Sequence, residues 1–253
     1  MMPSHDPLAM SVILASAFVA AIVKGVTTMG LGLIAIPVIA LFLDVQTAVL
    51  SLFISKLVSD VAMLVESKRD LTWRSSLRLA SFVAAGAIAI PVATYLLANL
   101  HGKWLHIFLG ASILGFVAYQ LSPRPIVIPV RHEGPWGAGF GTAAGATQAL
   151  TGVGGPYTAM YLYALGLKPS QFVFLSSVVY LLFDVTQLAS ILYLGLYDRT
   201  RLFYAIATLA PVLAGTWIGI RLRARMHARA FKAGLLVLLT ASALSVLVRG
   251  IAS

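Results

Sequence analysis

The sequence predicts an all-helical integral membrane protein that is built from two inverted repeats of five hydrophobic segments each. Three observations support this fold class. Of the 253 residues, 60% are hydrophobic and only 10% are charged; the apolar residues form long runs; and glycine-rich motifs recur in the two halves. A soluble domain carries about 25% charged residues. With so few charges, the outer surface itself must be apolar, so its solvent is lipid.

Ten apolar segments follow one another along the chain. Residues 45–65 and 171–196 each hold about 20 or more mostly apolar residues, which suffices to cross about 30 Å of hydrocarbon. The first two segments of each half are shorter, and we expect them to be short or re-entrant, which gives 8–10 membrane helices. The ten segments are residues 8–23, 28–43, 45–65, 79–99, 104–121, 136–150, 153–167, 171–196, 202–220 and 233–251.

A proline-rich stretch between the fifth and sixth segments divides the chain. Residues 122–135 hold four of the eleven prolines, and proline at that density does not continue a helix. We therefore predict a first inverted repeat over residues 1–121, a cytoplasmic linker over residues 122–135 and a second inverted repeat over residues 136–253.

Short motifs recur in corresponding places of the two halves. Gly30-Leu31-Gly32 is matched by Gly152-Val153-Gly154, and His101-Gly102-Lys103 is matched by His227-Ala228-Arg229. Similar halves with an odd number of crossings must lie upside down relative to each other. This plan is typical of secondary transporters.

The distribution of Lys and Arg predicts the orientation. If all ten segments cross, 13 of these residues lie on one side and four on the other. Cytoplasmic loops carry the excess of Lys and Arg, so we expect a multi-pass protein of the cell (inner) membrane with both termini outside. Lys24 would lie at the cytoplasmic surface if the first two segments cross, and inside the membrane if they form a hairpin.

The same distribution explains the net charge of +10 without a nucleic-acid partner. The basic residues are spread over loops and form no cluster interleaved with aromatic residues.

Glycine-rich clusters at the junction of the first two segments of each half predict a substrate site. Glycine lets the backbone leave helical dihedrals, and a broken helix exposes N–H groups and the positive end of a helix dipole. Paired breaks point to the central site of a transporter; the alternative is close helix packing through small residues. The predicted site residues are Gly25, Thr27, Thr28, Gly30 and Gly32 in the first cluster and Gln148, Thr151, Gly152, Gly154 and Gly155 in the second.

Ionisable residues inside the third and eighth segments extend the predicted site. Lys56 and Asp60 are four residues apart and share one helix face, and Asp184 lies in the corresponding segment of the second half. Burying an ionisable side chain in a membrane costs free energy, so such residues are by default taken as candidates for a functional role. We expect Lys56 to bind an anion and Asp60 or Asp184 to carry protons; the alternative is a structural Lys56–Asp60 pair.

Other chemistry has little support in the sequence. The chain has no cysteine, no His/Asp/Glu cluster with metal-ligand spacing, and neither a nucleophile elbow nor a Walker-type loop. We therefore predict no enzyme, no catalytic residue, no metal and no cofactor. Four serines on the third and eighth segments could bind substrate oxyanions or neighbouring backbone; they are Ser55, Ser59, Ser176 and Ser177.

The glycine motifs also resemble those of a known family. Residues 141–156, which read Gly-Thr-Ala-Ala-Gly-Ala-Thr-Gln-Ala-Leu-Thr-Gly-Val-Gly-Gly-Pro, resemble the second-half signature of the TauE/SafE family of membrane transporters. That signature has a glycine about every four residues and then Gly-x-Gly-Gly-Pro. Residues 25–37 are similar to the first-half signature, and the resemblance covers nearly the whole chain through its length, two-half plan and paired motifs.

The resemblance implies a secondary transporter for a small sulfur-containing anion, either sulfite or an organosulfonate, that is coupled to protons. With two inverted halves, the expected mechanism is alternating access. The expected partners are the small anionic substrate, protons and the lipid bilayer, and homo-oligomerisation is left open. The rival interpretations are a passive anion channel of the same fold and, with less support, a membrane-embedded enzyme.

Overall fold

The computed structural model describes residues 7–67, 79–122 and 128–223, together with helical residues at 240, 244 and 248. Within these ranges every regular element is a helix, which confirms the all-helical class. The elements are α1 (Pro7–Thr27), a π-helical turn (Leu31–Ala35) that continues as α2 (Ile36–Ile39), α3 (Val45–Ser67), α4 (Ala80–Asn99), α5 (Gly102–Leu121), a 3₁₀ turn (Val130–His132), α6 (Glu133–Thr151), α7 (Gly155–Ala164), α8 (Pro169–Tyr193), α9 (Arg199–Ala207) and α10 (Leu209–Leu222).

Six helical stretches in the described part of the chain are long and apolar enough to cross a bilayer. They contain 20 to 25 residues each, or about 30 Å and more at 1.5 Å per residue. Five of them are α1, α3, α4, α5 and α8, and the sixth is the combined α9 and α10 over Arg199–Leu222. The chain is therefore a multi-pass membrane protein.

The first segment of each half is longer than the hydropathy pattern predicts. α1 has 21 residues and α6 has 19, so of the two alternatives, short or re-entrant, shortness does not describe these first segments. The hydropathy pattern stops before Lys24, but the helix continues through it because the side chain has a buried acidic partner, Asp60, on α3. The second segments are the short ones, since α2 has four residues after its five-residue π-helical turn and α7 has ten.

Each short helix packs beside the helix that precedes it. α1 contacts the π-helical turn and α2, and α6 contacts α7. The first half therefore contains an α1–α2 hairpin and the second half an α6–α7 hairpin. We call the residues that join the two arms of each hairpin its tip: residues 28–30 in the first hairpin and residues 152–154 in the second.

Glycine contacts show the direction of α1. Gly215 of α10 lies against the backbone of Phe18, and Gly219, one turn later, lies against Ile22 and Gly25. Because both helices advance together, α1 and α10 run parallel.

Hydroxyl contacts show that α3 runs in the same direction. Ser55 bonds Thr208 at 2.8 Å, and Ser59 bonds Thr216 further along, also at 2.8 Å. Both α1 and α3 are therefore parallel to α9–α10 and begin on the same side of the molecule. The α1–α2 hairpin between them must return the chain to the side from which it started.

Helix packing is reciprocal between the two halves. The first helix of each half packs extensively on the fourth segment of the other, α1 on α10 and α6 on α4. The third helices, α3 and α8, contact each other, and each also contacts the fourth segment of the opposite half. This arrangement places α3, α8 and the two hairpin tips together.

Several parts of the sequence analysis fall on residues that the structure does not describe, and the His227-Ala228-Arg229 motif is one of them. The last predicted segment, 233–251, lies outside the described residues except for its three helical positions, and residues 68–78 and 123–127 lie outside them entirely. The division into two inverted repeats with a linker between them stays a prediction.

Candidate functional site: a buried charge cluster at the hairpin tips

The two hairpins touch where their backbones turn. A Cβ added to Gly32, at the start of the short arm of the first hairpin, would lie only 1.9 Å from the carbonyl oxygen of Gly152. A Cβ on Gly152 would lie 2.1 Å from Cδ1 of Ile36. Only glycine permits this approach, so the two breaks predicted from the sequence do meet.

The long arms of the two hairpins end in the same way. Thr28 has φ 71° and Gly152 has φ 68°, both in the left-handed region that often terminates a helix. The N–H of Thr28 donates to the carbonyl of Lys24 at 2.7 Å, and the N–H of Gly152 donates to that of Gln148 at 2.8 Å. The geometry therefore pairs Thr28 with Gly152 and Lys24 with Gln148.

Four charged side chains form a cluster beside these tips. Nζ of Lys24 lies 3.0 Å from Oδ2 of Asp60, and Nζ of Lys56 lies 3.2 Å from the same oxygen. Lys56 also contacts Oδ1 of Asp184 on α8. The carboxylates are at most 1% exposed and the lysines at most 15%. Two lysines and two aspartates make the cluster formally neutral, and such pairing is what makes buried charges tolerable.

Neutral groups complete the shell around the cluster. Nε2 of Gln148 donates to Oδ1 of Asp184 at 3.0 Å and lies 3.5 Å from Oε1 of Gln187. Within the described residues, four buried atoms of this region lack a hydrogen-bond partner, and such atoms call for an explanation. They are Oγ1 of Thr28, Oδ1 of Asp60, Oδ2 of Asp184 and Nε2 of Gln187.

Two small cavities adjoin the cluster. One of about 30 Å³ is lined by both lysines, Asp60 and the hairpin tips, and one of about 10 Å³ lies on the side of Gln187. A water molecule needs about 10–15 Å³ in this measure. The space holds a few waters but no anion of four or more heavy atoms.

Comparison with protein families identifies the family of the chain. The family described as "Sulfite exporter TauE/SafE" has a model that matches residues 13–246. The chain belongs to this family. The match covers both hairpins and all four charged residues, and it confirms the resemblance found in the glycine motifs. TauE/SafE proteins are membrane transporters of the sulfite exporter type. Comparisons with curated proteins and with solved structures gave no match.

Most residues predicted for the site of this TauE/SafE protein lie at the larger cavity. Asp184 does not line this cavity, but it contacts two residues that do, Lys56 and Gln148. The predicted residues that line the cavity are Thr28, Gly30, Gly32, Lys56, Asp60, Gln148, Gly152 and Gly155.

Four predicted residues serve other contacts. Gly25 packs against the backbone of α10, and Gly154 packs against Gln148 within its own hairpin. The hydroxyl of Thr27 donates to the carbonyl of Val23 at 2.9 Å. That of Thr151 donates to the carbonyl of Thr147 at 2.7 Å. These residues shape the hairpins without lining the cavity.

Two residues at the cavity are absent from the predicted site. The sequence pattern places Lys24 at the surface or inside the membrane without a role in the site, and it does not single out Tyr180. The ring centre of Tyr180 lies 5.6 Å from Nζ of Lys56, and both residues line the cavity. A constant spacing in the chain could have found them. The second residue lies 124 positions after the first in the pairs Lys24 and Gln148, Thr28 and Gly152, Lys56 and Tyr180, and Asp60 and Asp184.

The four serines bind protein groups. Ser55 and Ser59 of α3 bond threonines of α9–α10. Ser176 and Ser177 both donate to the carbonyl of Val173 in their own helix, at 3.0 and 2.9 Å. Ser176 and Ser177 thus bond neighbouring backbone, as the alternative expects, whereas Ser55 and Ser59 bond side chains of another helix.

Proposed function

We propose that this TauE/SafE protein is a secondary transporter that moves a small sulfur-containing anion, sulfite or an organosulfonate, together with protons by alternating access. One observation carries the proposal. The buried cluster of Lys24, Lys56, Asp60 and Asp184 is formally neutral and lies beside the contact between the hairpin tips.

The neutrality of the cluster favours binding of an anion and a proton together. An anion added alone would leave a net negative charge in a low-dielectric interior, and a proton added alone would leave a net positive charge; both are unfavourable. When both bind, a monoanion and one proton restore neutrality, whereas a dianion needs two protons. Each ligand therefore strengthens the binding of the other, as reciprocal linkage requires.

Lys56 is the cation that we propose for the anion. It holds two carboxylates at once, so protonation of one of them releases part of its hydrogen-bonding capacity. The N-terminal turns that begin near Leu31 and Gly155 also line the cavity, and neither has a side-chain cap. The first N–H groups of a helix have no partner within the helix, and together with the helix dipole they favour a negative ligand.

Alternating access follows from the two-half plan. The reciprocal packing of α1 on α10 and of α6 on α4 supports two inverted halves, and the small volume of the cavity means that the cluster must open before a substrate enters. The Lys56–Asp184 pair joins the halves, so a substrate that competes for Lys56 would loosen their contact. We place both termini outside the cell membrane, because the basic loops are then cytoplasmic.

Flux in proteoliposomes tests the proposal. We would reconstitute the full chain, clamp the membrane potential at zero and impose a pH gradient. The substrate would be labelled methanesulfonate, whose charge is constant near neutral pH. One proton per anion predicts about tenfold accumulation on the alkaline side for a gradient of one pH unit. Three outcomes would contradict the proposal. Equal methanesulfonate concentrations on the two sides would indicate a passive channel, and accumulation on the acidic side would indicate exchange of the anion for a proton. No flux above that of protein-free liposomes would reject anion transport.

Lys56→Gln provides the matching variant. It removes the cation that bridges the halves and leaves Asp184 with an amide partner alone. We expect loss of methanesulfonate and sulfite uptake. Lys103→Gln, which removes an exposed lysine at the start of α5, should transport normally. Normal uptake by Lys56→Gln would contradict the role of Lys56, whereas equal loss in both variants would show that the assay reports folding.

A further inference from the structure

We infer that Asp184 is the residue that carries the transported proton, and that the difference between Lys24 and its counterpart Gln148 is what assigns this role to Asp184 instead of Asp60. The inference rests on the proposed function and adds to it, since the charge of the cluster alone does not say which carboxylate is protonated.

The two carboxylates occupy equivalent places. Asp60 and Asp184 lie on the third helices α3 and α8, 124 positions apart. Each binds a side chain from the last turn of the long hairpin arm in its own half, Asp60 from Lys24 and Asp184 from Gln148. Both also bind the same Nζ of Lys56. Their surroundings therefore differ chiefly in what the hairpin supplies.

That difference is one full charge. Oδ2 of Asp60 contacts two ammonium groups, at 3.0 and 3.2 Å. Oδ1 of Asp184 contacts one ammonium group, which it shares with Asp60, and one neutral amide at 3.0 Å. Because an adjacent cation stabilises the ionised form of a carboxyl group, Asp60 is held as a carboxylate, and Asp184 is the group whose ionised form is less supported.

The remaining neighbours of Asp184 supply no second cation among the described residues. On α3 the charged group that faces it, besides Lys56, is Asp60, whose like charge adds no support to the ionised form. On α8 itself the neighbours are Tyr180 and Gln187, one turn away in either direction. α4 places Phe82 against Phe183 in a stacked pair. α7 stacks Tyr163 on Phe172, about three turns from Asp184. Besides Lys56, the described lysine that completes the cluster is Lys24, and its Nζ contacts Asp60.

Each carboxylate has one buried oxygen without a hydrogen-bond partner, Oδ1 of Asp60 and Oδ2 of Asp184, so the charge of the hairpin residue decides between them. In Asp184 the other oxygen, Oδ1, is held by Lys56 and Gln148. A proton that binds Oδ2 leaves the hydrogen bond from Gln148 in place and removes the charge that holds Lys56. The ammonium group of Lys56 then keeps Asp60 and gains the anion, so that the loaded cluster stays neutral.

Infrared difference spectroscopy tests the assignment without relying on transport. The purified full chain would be titrated with acid in lipid, and the C=O stretching band of a protonated carboxyl group would be followed. We expect a band that disappears in Asp184→Asn. In Asp60→Asn the band should persist but form only at lower pH, because Lys56 is then left to Asp184 alone and stabilises its ionised form. A band that persists in Asp184→Asn, or that is lost in Asp60→Asn at every pH at which the protein stays folded, overturns the inference, whether or not the protein moves anions.

Exchanging the two hairpin residues provides the sharper test. The double variant Lys24→Gln with Gln148→Lys keeps the net charge of the cluster and should move the band to Asp60, so that Asp60→Asn now removes it. If this variant does not purify as a monodisperse protein, the single variant Gln148→Lys should abolish the band, because Asp184 then contacts two ammonium groups. A band that still depends on Asp184 in either variant rejects the role of the Lys/Gln difference.

Discussion

Thr28 has a strained backbone conformation and a hydroxyl group without a hydrogen-bond partner. Within the described residues it is the non-glycine residue with positive φ, 71°, and its Oγ1 is buried without a hydrogen-bond partner beside the cavity. A β-branched residue in the left-handed region costs about 1–2 kcal/mol. The corresponding residue of the second half, Gly152, has no such strain. Strain of this kind persists where function requires the side chain.

Replacing Thr28 with glycine should therefore raise stability and weaken substrate binding. Relief of the strain gives about 1–2 kcal/mol, and the added freedom of glycine in the unfolded chain offsets about 0.5–1 kcal/mol. We expect a higher unfolding midpoint in detergent and a higher KM for sulfite. Thr142→Gly, at an exposed position inside α6, should lower the midpoint. A loss of stability in Thr28→Gly equal to that in Thr142→Gly would contradict the role of strain.

Glycines determine how closely the helices of opposite halves pack. In α6, a Cβ on Gly141 would lie 2.1 Å from the carbonyl of Phe82, and one on Gly145 would lie 2.5 Å from that of Gly86. Gly215 and Gly219 of α10 approach α1 in the same manner. The long arm of each hairpin is thus fixed against the other half by backbone contact, and the position of its tip depends on that contact.

Two alanine substitutions on the same helix separate packing from helix propensity. Gly141→Ala should force α4 and α6 apart and destabilise the protein by about 1–3 kcal/mol, the usual range for overpacking, and should also reduce anion uptake. Gly139→Ala adds a methyl group where no atom lies within 4 Å and should be neutral or slightly stabilising. Unfolding midpoints and uptake of both variants give the comparison. Equal behaviour of the two would show that the α4–α6 contact is not tight.

Local sequence patterns predicted the elements but not all of their ends. Runs of apolar residues identified the long helices, and glycine clusters identified both hairpin tips. The end of α1 was misjudged because a lysine normally marks the edge of a membrane segment. Its partner Asp60 lies 36 positions later in the chain, and a contact over that distance depends on how the hairpin packs on α3. Lys56 and Asp60 were paired correctly because helical periodicity alone brings them together.

The charge cluster is divided unequally between the two halves of the molecule. The first half supplies Lys24, Lys56 and Asp60, and the second supplies Asp184 with neutral residues in place of both lysines. The first half therefore contributes a net positive charge and the second a net negative one, so the cluster attracts the halves to each other. Residues at equivalent positions of the two halves therefore occupy similar places in the cluster but carry different charges.

The orientation of the protein in the membrane can be tested by labelling single introduced cysteines, because the chain has no cysteine of its own. Lys103→Cys at the start of α5 and Lys168→Cys at the start of α8 both introduce exposed thiols. Between them lie one crossing by α5 and the α6–α7 hairpin, which we expect to return to its side of origin. An impermeant maleimide should label Lys103→Cys in intact cells and Lys168→Cys only after permeabilisation. The opposite pattern would reverse the orientation. Labelling of both from outside would mean that α6 and α7 together cross the membrane once and do not form a hairpin, because only a single further crossing would bring residue 168 back to the side of residue 103.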